Sequence, residues 1–270
     1  SDVFSTGGTG RAIRINDNKS EATITDFTHD GFASSGGGIL LSEAEADVAV
    51  TRATIVRGVG PGIEIRDTDA MFSITESTIT DTVGAALLVG AGASTVDFTG
   101  FIDQGGAGSA FTANGGHTGT VTFTEQTAGM GVISATLGTG LLFDGADGVY
   151  TFNNRVTLAG GDAGIDFIGG SAVVTMPEAF ITSPTGTAVN AVGGSGSLTF
   201  TGEIEQANAA SVVSVSGGHT GTFIFNEFTA GAGVVSASAG DGLQFNTANG
   251  AYTFNHDVDL AGGDAALDII

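Results

Sequence analysis

The chain of 270 residues has no cysteine and no tryptophan, and only two tyrosines, three prolines and one lysine. Each shortage excludes something. Without cysteine there are no disulfides, no thiolate metal sites and no cysteine nucleophile. Sugar-binding grooves favour tryptophan and tyrosine, whose flat rings carry a polar edge, and here both tyrosines, Tyr150 and Tyr252, fall at positions that read as inward-facing. Basic residues are scarce too: seven stand against 29 acids, for a net charge of −22. Such a surface repels nucleic acid and anionic membranes and fits a saline or calcium-containing exterior. No apolar run approaches the ~18 to 20 residues that cross a bilayer as a helix. With so few prolines, most backbone N–H groups are free to join ladders.

What is present is glycine, 46 residues of it, beside an apolar content of 41% that is too high for a disordered chain. The pattern is a repeat. Eleven times an apolar residue, a residue of any polarity and another apolar residue recur, from Ile13-Arg14-Ile15 to Leu267-Asp268-Ile269, headed by Gly or Ala in every unit but Val212-Val213-Ser214-Val215. Between successive first apolar residues the steps are 26, 24, 24, 24, 30, 24, 24, 24, 30 and 24 residues. Alternate residues of a strand take opposite faces, so each unit reads as a short strand with an apolar face inward and the intervening residue on a solvated face.

A second apolar pair follows each unit, such as Val48/Val50, Phe72/Ile74, Val96/Phe98 and Tyr150/Phe152, and a third cluster lies beyond it around Ile55, Ile79, Ile102, Ile181 and Ile204. Three strands per turn, each stacked on its counterpart one turn away, describe an all-β fold. The expectation is a right-handed parallel β-helix of about eleven turns, mostly of 24 residues, as a single domain over residues 1–270. Glycines at strand ends supply the positive φ that tight corners need. The two 30-residue turns carry inserts at 125–136 and 227–238, expected to bulge as longer loops.

A higher period overlies this one. Residues 71–168 align without a gap to 173–270, an offset of 102, and between 115–168 and 217–270 the identity is 34 of 54 positions. Four turns therefore make one duplicated module. The unfinished last turn predicts a segment of a longer chain, since solenoids need covered ends.

Chemistry is sparse. Asp67, Asp69, Asp144 and Asp147 are the candidate metal ligands, with calcium as the cation, alongside the acidic run Glu43-Ala44-Glu45-Ala46-Asp47. A solvated corner is the plainer reading of the same residues. Gly160-Gly161-Asp162-Ala163-Gly164-Ile165-Asp166 is similar to a calcium-binding nonapeptide but out of its register. Arg57 and Arg66 beside Asp67 and Asp69 are the candidates for a lyase, a weaker alternative than a surface ion pair. His117 and His219 occupy the duplicated Gly-Gly-His-Thr-Gly-Thr corner and read as one structural position copied, without a catalytic partner. The Thr-x-Thr runs, such as Thr23-Ile24-Thr25 and Thr78-Ile79-Thr80, resemble the rows of ice-binding solenoids. Thr122 and Thr124 become Ile224 and Asn226 one module later, which argues against a regular array.

The turn pattern as a whole resembles the right-handed parallel β-helices of large bacterial surface and secreted proteins, including adhesins, autotransporter passengers and fibre-forming repeats, and Gly36-Gly37-Gly38-Ile39 is similar to the GGA[ILV] repeat of chlamydial polymorphic outer-membrane proteins. The resemblance implies an extracellular or cell-surface rod that spaces, adheres or polymerises, while the residues themselves offer no catalytic set and no cofactor site beyond the calcium candidates. Its expected partners are further repeats of the same protein or other copies end to end, or, for an adhesin, a host glycan or protein met by the longer turns. A polysaccharide lyase or hydrolase and an ice-binding solenoid are the remaining alternatives.

Overall fold

The computed structural model describes residues 3–6, 10–32, 36–126, 133–162, 164–228, 234–262 and 267–270. Among them there are strands and turns and no helix. The eleven repeat units are the eleven strands of one parallel sheet, from Ile13–Asn16 to Leu267–Ile269. Each pairs with the unit one turn away: Ile13 beside Ile39, Ile39 beside Ile63, and onward to Leu243 beside Leu267. The chain is thus a parallel β-solenoid, with ten turns between the first unit and the last.

Second and third strands form a seventeen-stranded parallel sheet, which also takes in Val3–Thr6. Four turns depart from three separate strands. In Met71–Thr80, Thr95–Gln104, Val173–Thr182 and Ser197–Gln206 the second and third strands run on as one strand of ten residues. They bend where the register slips, at Thr99/Gly100 and at Met176/Ala179, so a bulge replaces the corner. The insert positions 127–132 and 229–233 lie outside the described residues, and with them most of the expected longer loops.

The interior is a stack of phenylalanines. Of the twelve largest fully buried side chains all but Tyr150 are Phe. Phe123 lies on Phe152 with ring centroids 4.6 Å apart and planes 8° apart, and one module on Phe225 lies on Phe254 at 4.7 Å and 7°. Burying each such ring contributes about 1.5–3 kcal/mol. Where glycine heads a repeat unit the space is tight: a Cβ added to Gly62 would sit 2.6 Å from both the Ala86 carbonyl oxygen and Ile79 Cγ2.

Two expectations need correction. The residue between the apolar pair does not face open solvent throughout, because Leu40, Glu64, Thr112 and Asp166 are at most 8% exposed. Neighbours one strand above and below shield such positions, and the Arg11 guanidinium, which also donates to the Pro61 carbonyl at 2.8 Å, pairs with Glu64. Positive-φ corners are also not left to glycine alone. After the first strand, Gly115, Gly145, Gly169, Gly193 and Gly217 take φ of 61 to 66°, but in the first three turns the same corner holds Asp17, Glu43 and Asp67 at 54, 51 and 54°. The next corner holds Asp26, Arg52 and Glu76 at 56, 55 and 52°. Left-handed backbone costs about 1–2 kcal/mol per non-glycine residue.

Candidate functional site

The acids at those first corners line an open groove of about 900 Å³ along the turn between first and second strands. Asp17, Glu43, Glu45, Asp47, Asp67 and Asp69 all face it. The structure therefore brings together two clusters that are 24 residues apart in sequence, while Asp144 and Asp147 lie further along the rod. Lys19 partly neutralises the groove, its Nζ 2.6 Å from Glu45 and 3.1 Å from Asp17, and these hydrogen bonds raise the ammonium pKa.

Several of the acids hold one turn to the next. Asp47 accepts from the Met71 amide at 3.1 Å, and Asp69 from the Ala93 amide at 2.8 Å. Asp147 accepts from the Ser171 amide at 2.9 Å and its hydroxyl at 2.8 Å. A calcium site gathers about six to eight oxygens around one point. Among the described residues no group of three His, Asp or Glu converges in that way.

The paired arginines separate. Arg57 pairs with Asp30, whose carboxyl its hydrogen bond holds below the usual range, and lies 5.0 Å over the Phe32 ring. Arg66 stays near Asp67, with Nε at 3.9 Å, but reaches Glu64 more closely, at 3.4 Å. Asp166 of the nonapeptide-like run is buried and accepts from Asn190 at 2.9 Å, and burial raises its pKa.

Both duplicated histidines are fully buried, and each meets a tyrosine 33 residues ahead. His219 Nε2 lies 3.0 Å from the Gly196 carbonyl, which can only accept, so Nε2 carries the proton and Nδ1 accepts from the Tyr252 hydroxyl at 2.8 Å. His117 repeats this with Ser94 and Tyr150, at 3.3 Å and 2.9 Å. Burial lowers the pKa of both imidazoles and raises that of both phenols. Gln104 and Gln206, a further duplicated pair, are also fully buried: Gln104 Nε2 donates to Thr82 Oγ1 and the Gly84 carbonyl, and Gln206 Nε2 to the Gly186 carbonyl. Neither pairing was read from the sequence, although the common offset of 102 was the available signal.

The threonine runs align on successive turns. On the outward face of the second strands Thr25, Thr51, Thr75, Thr99 and Thr124 form one column, and Thr122, Thr151, Thr175 and Thr199 another. The rows are not unbroken: one strand beyond Thr199 and Thr201 the same positions hold Ile224 and Asn226, as the module comparison implied.

No protein-family model, curated protein or solved structure matches the chain.

The chemical inventory is then that of the chain alone. The groove offers a concentrated negative field open to solvent. The histidine–tyrosine pairs lie inside the wall and serve packing.

Proposed function

We propose that the chain is a non-enzymatic structural segment of an extracellular surface protein or filament, working as a rigid spacer or self-assembling rod. The observation that carries this reading is the unbroken first-strand ladder, in which all eleven strands are parallel and bonded turn to turn. At ~4.8 Å per strand its ten intervals make a rod about 48 Å long. Such a ladder resists bending because each turn is bonded to both neighbours, and stability is a sum of turn and interface contributions. Polar side chains in the wall support the reading, since Asp47, Asp69, Asp147, Gln104 and the histidine–tyrosine pairs bond within it or across turns.

The partners that suit such a rod are further repeats or other copies end to end, because an open strand edge templates another strand. Calcium then acts as a diffuse counterion of the acidic groove. The test is to image the native material by negative-stain microscopy. Continuous rods or filaments of solenoid width are expected, and discrete capped particles would sink the proposal.

A further inference from the structure

The outward face of the second strands differs from the rest of the surface in charge. From Thr120 to Asn255 six successive strands present three outward positions each, and none is acidic or basic: Thr120-x-Thr122-x-Thr124 is followed by Val149, Thr151 and Asn153, then Val173, Thr175 and Pro177, and so on to Ala251, Thr253 and Asn255. In the same turns the other faces carry Asp144, Asp166, Glu203, Glu205, Asp257 and Asp259. In a chain of net charge −22, one face over half the rod is free of charge while its neighbours are acidic.

The face is also a lattice. Pairing is in register from Thr23 through Ala49, Ser73, Asp97, Thr122, Thr151, Thr175, Thr199 and Ile224 to Thr253. Outward groups therefore repeat at ~4.8 Å across the strands and ~6.7 Å along them. The threonine side chains of this face are almost uncommitted: among the described residues its one bond between threonine side chains joins Thr75 to Thr51 at 3.3 Å.

Chemistry narrows the occupant of such a surface. An ionic mineral would need charges, a polysaccharide crystal would need aromatic platforms, and a lipid or wax surface would need a continuous apolar field. A threonine offers a hydroxyl that donates and accepts as water does, next to a methyl that orders the water around it. Both spacings lie close to repeats of hexagonal ice. We infer that the second-strand face binds ordered water as the surface of ice, through the threonine columns centred on Thr122, Thr151, Thr175 and Thr199. The inference is independent of the rod's role in a surface protein.

The experiment is partition into a slowly growing ice shell, with the 270-residue chain and an inert protein of similar size in one solution. The unaltered chain is expected to enter the ice several-fold more than the inert protein. The double variant Thr151→Lys/Thr175→Lys should fall to the inert level, and Asn190→Lys, on the first-strand face, should partition as the unaltered chain does. Circular dichroism melts establish that the variants are folded, and Thr151→Tyr replaces the double variant should that one unfold. Exclusion of the unaltered chain from ice overturns the inference, as does equal loss in Asn190→Lys or retention in the folded double variant. Microscopy of rods reads a different property, so a failure here leaves the rod proposal standing.

Discussion

Single side chains inside the wall act chiefly by satisfying backbone and one another. The histidine–tyrosine pairs show how this couples stability to pH. Burial lowers the pKa of His117 and His219 in the fold, while in the unfolded chain they titrate near ~6.5. Above that value both states are neutral and the pairs are intact. As pH falls through it the unfolded chain takes up protons that the fold does not, so stability drops until the lowered folded pKa is reached. Urea melts between pH 7.5 and 5 should show this loss, and it should shrink in a His117→Gln/His219→Gln variant. Equal pH slopes in the two proteins would contradict it. At neutral pH the variant is also expected to be less stable, by about 1 kcal/mol per site, because each tyrosine hydroxyl loses the imidazole acceptor and keeps only the longer bond to the backbone carbonyl of residue 117 or 219.

Strands and corners were legible to different depths. The first-strand units were plain because apolar residues two apart, recurring every 24 residues, are a period-2 signal that local sequence alone defines. Corners were not, since glycine is the expected left-handed residue and nothing local announces that Asp17, Glu43 and Asp67 take the same backbone. Nor could the groove be read, because its acids become neighbours only when turns stack. Arg11 hides Glu64 from 53 positions away in the chain. These corners carry a testable cost. Replacing Glu43 by glycine removes left-handed strain of about 1–2 kcal/mol against a glycine entropy cost of about 0.5–1 kcal/mol. It also removes one negative charge from the groove. Glu43→Gly is expected to stabilise the chain by about 0.5–1 kcal/mol, more at low salt than at high, as read by thermal melts at two ionic strengths. A destabilised variant would show that the carboxylate does something the groove's geometry does not reveal.

The whole molecule behaves as a one-dimensional stack, in which each turn touches only its neighbours. Phe111 sits at a junction of that stack, with ring centroids 5.2 Å from Phe123, 5.8 Å from Phe143 and 5.7 Å from Tyr150. Phe111→Ala is expected to cost about 3–5 kcal/mol. Hydrogen exchange should show the lost protection concentrated in strands Leu87–Gly90, Phe111–Asn114, Leu141–Asp144 and Val149–Phe152, with Ile39–Ser42 little changed. Uniform loss along the chain would mean that the solenoid opens as one unit. The duplicated module bears on the same property. Its two copies are offset by 102 residues, and His117/His219, Gln104/Gln206 and Phe123/Phe225 show the wall repeating its internal bonds at that interval. Inserting or excising one whole module would leave each remaining residue with a neighbour of the kind it had before. The rod is therefore a ruler whose length can change by recombination in increments of four turns, about 19 Å at ~4.8 Å per turn, without any new packing problem to be solved.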